Sequence, residues 1–436
     1  MIWLAAGCYV RAAEPDVPSP DGPQSPGTPA AATLLPPMTG DDVPGLESFD
    51  AFMRGFLVEH HLPGAALAIS HGNRLIYARG FGRADREARE PVGPTSLFRI
   101  ASVTKPFTSA VVMQLVEGGK LHLDDRIWTV LDLSAPRWNG AQFDPRWKEI
   151  TVHELLQHRG GWDRDKSFDP IGRMRDITQK IGVELPVGPH EILRYMLGFP
   201  LDFPPGERYA YSNFGYILLG LLIERITGRR YEEVVRKDVL LPLGIRQMRL
   251  GHALVEQRAK GEVKYYDSKG RVGSAVFGPH IGQIVPLPYG AENFEAYAAH
   301  GGWIASAPEL VRFAAALDDP AHCPIMSANS IATTFARPAG LAGHDADGQP
   351  KKSYYGCGWL VRPVGSKGKF NFWHNGLISG TSTLVVGRFD HLHWAVLFNT
   401  NANPAGQPPA ALIDPLLHGV ANKITRWPER EISVAE

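Results

Sequence analysis

Cysteine is scarce in this chain: Cys8, Cys323 and Cys357 are the only three in 436 residues, and no two stand at C-x-x-C spacing. A disulfide scaffold and a cysteine-based zinc site are thereby excluded, so stability has to come from packing. A surplus of either charge is missing as well, because 45 Lys and Arg balance 45 Asp and Glu. No electrostatic case exists for nucleic acid or an anionic membrane as a partner. Long apolar runs are lacking: the best candidate, Ile217 to Ile223, stops at Glu224 and Arg225, well short of the roughly 20 residues of a membrane span. No repeat period is visible, nor a Gly-x-Ser-x-Gly elbow, nor a phosphate-binding glycine loop ending in Lys-Ser or Lys-Thr. What remains is an ordinary globular composition, 44% hydrophobic and 21% charged, in a chain long enough for about two to four structural units.

The first residues stand apart. Residues 2 to 7 are uncharged and mostly apolar and lead into Cys8, which resembles the end of a bacterial lipoprotein signal and makes Cys8 a candidate lipid anchor. The pattern lacks a preceding Lys or Arg and a full apolar core region, so the expectation is divided between export to the bacterial envelope and a cytoplasmic chain. From Arg11 to Gly45, nine prolines in 35 residues, mixed with Ala, Asp, Ser and Gly, read as an unordered arm.

Beyond it, Leu46 to His61 has helical apolar spacing closed by Pro63 and Gly64, and Ala65 to Ser70 and Arg74 to Ala78 read as two strands around His71-Gly72-Asn73. Helical text dominates from Ser102 to about Leu250, whereas residues 251 to 295 show no firm period. A capping signature at Ser306-Ala307-Pro308-Glu309 opens another helix. Four strands follow, over Gly356 to Val364, Phe370 to His374, Ser382 to Phe389 and His393 to Asn399.

Three short motifs could carry chemistry. Ser102-Val103-Thr104-Lys105 places a hydroxyl and an amine on one helix face, where a neutral lysine could take the serine proton. Neutrality at pH 7 requires lowering the lysine pKa from about 10.4 by some three units, at about 1.4 kcal/mol per unit. Ser366-Lys367-Gly368-Lys369 repeats the spacing in a turn. Tyr211-Ser212-Asn213, before the apolar helix to Thr227, offers a phenol able to pass a proton to a leaving group, with Tyr209 as the neighbouring wrong choice. His374-Asn375-Gly376 ends an alternating strand, and the glycine lets a substrate backbone approach. His158, His280 and His300 satisfy the same spacing, so strand context and chain order alone select His374. His153-Glu154 with His158 misses the zinc-protease spacing by one residue, and His391 with His393 reads as a solvated hairpin pair. No metal site and no cofactor are expected.

In this order the motifs resemble the serine β-lactamase and penicillin-binding-protein superfamily, in its branch of class C β-lactamases, family VIII carboxylesterases and D-alanyl-D-alanine carboxypeptidases. Further matching phrases are Gly119 to Asp125, Ile150 to His158, Gly301 to Ser306 and Gly356 to Trp359, and the likeness runs from about Leu46 to Asn399. It implies Ser102 as the acylated nucleophile, Lys105 as its proton acceptor, Tyr211 as proton donor to the leaving group and Asn213 as a substrate-orienting group. It also implies an oxyanion hole from the backbone N–H groups of Ser102 and Leu377, with Gly376 and His374 on the adjoining strand. Many β-lactamases carry lysine where His374 stands; a mostly neutral histidine disfavours β-lactam recognition.

The expectation is therefore an α+β protein of β-lactamase-like fold, an antiparallel sheet flanked by helices plus an inserted helical domain. Its expected parts are the arm over 1–45, an α/β domain over 46–101 and 296–436, and a mainly helical domain over 102–295 with the nucleophile at its start. The expected activity is serine hydrolysis of a small ester, with D-amino-acid peptides or weak β-lactam hydrolysis as the alternative substrates. A non-catalytic envelope protein that binds cell-wall peptides or self-assembles is the alternative of another class.

Overall fold

The apolar runs at the two ends of the chain meet in one sheet. The computed structural model describes residues 35–434 apart from 137, 366 and 367; the candidate anchor Cys8 and the serine of the second Ser-x-x-Lys motif, Ser366, lie outside the described residues. Gly64–His71 and Arg74–Asp85 form a hairpin whose turn residue Gly72 has φ +57°, a left-handed conformation that suits glycine. Gly64–His71 pairs on its other side with Leu392–Phe398, which continues through Thr381–Gly387, Phe370–Ile378, Leu360–Pro363 and Tyr354–Tyr355. Every neighbouring pair in this nine-stranded sheet is antiparallel.

Both faces of the sheet are buried, and the pleat sorts side chains between them. Leu392, Trp394, Val396 and Phe398 join Leu67 and Ile69 against the helices Glu47–Glu59 and Pro409–Ala421. The intervening Ala66, Ala68, Ala395 and Leu397 face the larger core. Helix Ala307–Asp318, started by the expected Ser306–Glu309 capping box, packs on that second face. Residues 105 to 301 supply mainly helices. Among them Lys105–Glu117 and Asn213–Thr227 are almost wholly apolar where they cross the core.

Proline-containing segments are folded at both ends of the chain. The arm expected to reach Gly45 is folded from Met38 onward: Met38–Thr39 pairs with Phe81 and Gly80 as an edge strand, and Asp42 lies 2.5 Å from the buried Arg79. Prolines are tolerated at an edge because the missing N–H faces away from the ladder. Helix Pro409–Ala421 carries Pro415 and was not legible as a helix. The unreadable stretch 251 to 295 contains a two-stranded hairpin, Val272–Ser274 with Ile284–Pro286.

Candidate active site

Ser102 does not begin on an α-helix as its spacing suggested. It stands in the 3-10 turn Ala101–Thr104, and Lys105 opens the helix Lys105–Glu117 with Pro106 in its first turn. Ala101 before it has φ +46°, an uncommon conformation for a residue with a side chain and one that costs about 1–3 kcal/mol. The tighter turn keeps serine and lysine together: Lys105 Nζ is 3.1 Å from Ser102 Oγ. Ser102 is half-buried, while Lys105 is fully buried.

The partners of Lys105 bear on its protonation state. Besides Ser102, its Nζ donates to Asn213 Oδ1 and to the His300 carbonyl oxygen, each at 2.9 Å. A neutral amine has two N–H donors and one lone pair. Asn213 and His300 take the two donors, which leaves the lone pair facing the Ser102 hydroxyl. Burial, and after it the charge of Arg164, holds Lys105 well below its ordinary 10.5, with Asp169 opposing. The geometry accommodates a neutral amine as base, and burial shifts the lysine toward that form.

Tyr211 completes the set from the other side, its hydroxyl donating to Ser102 Oγ at 2.6 Å. Burial pushes the phenol up to about 12, opposed by Arg164 and by the bond to Ser102. A group that stays protonated donates, so Tyr211 suits the role of acid to a leaving group. Tyr209 makes no bond to the serine and instead stacks on Tyr355.

The strand Phe370–Ile378 is held against the nucleophile turn by its glycine. A Cβ on Gly376 would come within 2.3 Å of the Ile100 carbonyl oxygen and of Thr383 Oγ1, and within 3.0 Å of Ala101 Cβ. Thr383 Oγ1 in turn donates to that same Ile100 oxygen at 2.9 Å. Leu377 follows, paired with Ser382 in the sheet and exposed on its side chain.

His374 and Asn213 lie differently from what their motifs implied. His374 is 2% exposed. Its Nδ1 is 2.8 Å from the Asn375 carbonyl, which can only accept, so the proton sits on Nδ1 and Nε2 accepts from Tyr355 OH at 2.9 Å. Burial pushes the ring down to about 3. Asn213, 6% exposed, accepts from Lys105 and donates through Nδ2 to Asp169 Oδ2 at 2.7 Å. Both side chains are engaged with the protein rather than aimed at a bound molecule.

Other residues at the site carried no usable signal. The ring of His158 lies 4.3 Å from that of Tyr211 and its Nδ1 accepts from the Ser212 N–H. His300 contributes its carbonyl, Asp169 anchors Asn213, and the Arg164 guanidinium lies 4.6 Å from the Tyr211 ring centre. Each meets Lys105, Tyr211 or Asn213 through tertiary packing rather than through a local motif. Glu154 of the discarded zinc-like pattern closes a capping box with Thr151. Among the described residues no group of three or more histidine, cysteine, aspartate or glutamate side chains is placed to hold a metal ion.

With this geometry in view, the family model described as Beta-lactamase matches residues 49–417. The chain belongs to the Beta-lactamase family. Esterase EstB of Burkholderia gladioli is 32% identical to the family member over 293 residues, 64% of this chain and 67% of that protein. A Dichelobacter nodosus protein described as probable fimbrial assembly protein FimD, serogroup H1, is 34% identical over 168 residues, so the chain spans 39% of that relative's length. Among solved structures, the octameric penicillin-binding protein homologue from Pyrococcus abyssi superposes with a TM-score of 0.61 at 26% identity, covering 88% of this chain and 79% of that one. EstCE1, described as a hydrolase with promiscuous acyltransferase activity, shares the fold with a TM-score of 0.63 at 21% identity, covering 83% and 95%. The β-lactamase-like α+β fold expected from the sequence is the fold found, and family and relatives support a serine hydrolase.

Proposed function

We propose that the protein is a cofactor-free carboxylesterase that cleaves small short-chain esters through an acyl-enzyme on Ser102. The observation that carries this reading is the double engagement of Ser102 Oγ, by the buried Lys105 amine at 3.1 Å and the Tyr211 phenol at 2.6 Å. Lys105 takes the serine proton as Oγ bonds to the ester carbonyl carbon. The carbonyl oxygen gains negative charge opposite the N–H groups of Ser102 and Leu377, each such donor being worth about 3–4 kcal/mol in comparable sites. As the bond to the alcohol breaks, Tyr211 donates its proton to the departing oxygen, and the new lysine ammonium stabilises the phenolate and then reprotonates it. Water repeats the sequence on the acyl-enzyme, its proton passing to the same base, and Ser102 is released with the acid.

Gly376 in this reading keeps the oxyanion strand close, while Asn213 and His374 hold the base and that strand in place. No lysine ammonium stands at position 374 to meet a β-lactam carboxylate, and the esterase relative matches 293 residues, 64% of this chain. We extend the proposal to the domain partition: the nucleophile lies where 102–295 begins, against the sheet region of 46–101 and 296–436. Parallel assays on short-chain nitrophenyl esters, D-alanyl peptides and a chromogenic cephalosporin test the substrate class. The esters are expected to react fastest, with turnover abolished in Ser102→Ala. Faster cleavage of the peptide or the cephalosporin overturns the ester assignment, and full activity in Ser102→Ala overturns the acyl-enzyme.

A further inference from the structure

Arg164 belongs to none of the motifs, yet it faces the reacting groups. Its guanidinium lies 4.6 Å from the centre of the Tyr211 ring, and Lys105 Nζ lies 4.7 Å from the same centre. The ring of the proton donor thus lies between the Arg164 guanidinium and the Lys105 amine. Arg164 is also 3.8 Å from Asp169, whose Oδ2 accepts from Asn213, which in turn accepts from Lys105. A continuous run of polar contacts therefore links the guanidinium to the base.

The charges around Lys105 are few. From the helical region it meets His158, Tyr211 and Tyr216, from the short helix Ala298–Gly301 His300, and from the oxyanion strand His374. Burial pushes all three histidines down and both phenols up, so each of these groups is uncharged at neutral pH. Arg164 and Asp169 are the charged groups whose fields act on the lysine, and the arginine has the larger effect. Position 374, where many β-lactamases carry a lysine, here supplies no charge.

We propose that Arg164 is a positioning residue for the hydrolysis, its guanidinium over Tyr211 supplying from the helical side the fixed positive charge that the oxyanion strand lacks. The inference rests on the acyl-enzyme reading above and adds the group that keeps the Ser102–Lys105–Tyr211 set active at neutral pH. A nearby cation disfavours the lysine ammonium and favours the phenolate, so both effects move activity toward lower pH.

The test is the pH profile of kcat/KM on a short-chain nitrophenyl ester for the full chain and three variants. Removing the cation in Arg164→Gln is expected to move the ascending limb up by about half to one pH unit, a roughly three- to tenfold loss at a fixed pH on the limb. Arg164→Lys keeps the charge and is expected to keep the limb where it was. Asp169→Asn removes the opposing charge and is expected to move the limb down, which preserves the test if Arg164→Gln fails to fold. An unmoved limb in folded Arg164→Gln overturns the inference, whether or not the rate falls. An equal shift in Arg164→Lys overturns it too, because shape rather than charge would then matter. A limb that does not move down in Asp169→Asn counts against it in the same way. Failure of the acyl-enzyme reading itself shows separately, as retained turnover in Ser102→Ala.

Discussion

Two serine–base pairs stand among the described residues, and the backbone presents them differently. On the sheet, Ser70 Oγ is 3.2 Å from His393 Nδ1, and His393 Nε2 is 3.2 Å from Asp318 Oδ2 without the alignment of a hydrogen bond. The residue types are those of a serine–histidine–aspartate triad. Ser70 even borders a cavity of about 210 Å³ lined by Leu75, Val311 and His322. Yet it lies within the strand Gly64–His71, its backbone in register with His393, and its side chain is closed off at 2% exposure. Ser102 projects from a 3-10 turn after a left-handed alanine, half-buried and beside a strand that Gly376 brings close. The comparison teaches that a hydroxyl and a base in contact do not by themselves make a nucleophile; the backbone must also present the hydroxyl to an incoming carbonyl.

The sharpest way to break this contrast is to remove each hydroxyl. Ser102→Ala is expected to lower ester kcat/KM by at least about 10⁴-fold, whereas Ser70→Ala is expected to stay within about twofold of the parent in the same assay. Comparable losses in both would erase the distinction. Next comes the base: Lys105→Met is expected to cost about 10³- to 10⁴-fold, because no other group near Ser102 accepts a proton at neutral pH. Tyr211→Phe should cost less, about 10²-fold, since solvent can in part replace a proton donor to an alkoxide. Retention of kcat in that variant would remove the phenol from the mechanism.

The smallest expected effect concerns stability. His374 titrates at about 3 in the fold and near 6.5 in the unfolded chain. A histidine whose folded pKa is depressed contributes stability fully above the unfolded value and loses it as pH falls toward the folded one. Acidification from pH 7 to 4.5 should therefore lower the unfolding free energy by about 2–3 kcal/mol through this residue. Denaturant melts of the parent and of His374→Gln at the two pH values check it: the variant should lose less on acidification, and an equal loss in both contradicts the buried neutral ring.

How much of this was legible follows from where each signal lives. Ser102, Lys105, Tyr211 and Gly376 lie in short stretches whose spacing reflects local backbone geometry, and the structure brings them together. The strand read over His393 to Asn399, found at Leu392–Phe398, and the capping box at Ser306 were readable for the same reason. Arg164, Asp169 and the His300 carbonyl were not, because they meet the serine set only through tertiary packing. The sequence also placed His391 and His393 together on a solvated hairpin. His391 instead occupies the turn with φ +60°, while His393 is fully buried between Ser70 and Asp318.

The central claim, that an uncharged Lys105 draws the proton from Ser102, is tested most directly by the rate at which a fluorophosphonate labels Ser102 as a function of pH. The account predicts a rate that rises and levels off well below the ordinary lysine pKa of 10.5, and that collapses in Lys105→Met. A rate still climbing at pH 10, or unchanged labelling in Lys105→Met, would contradict it.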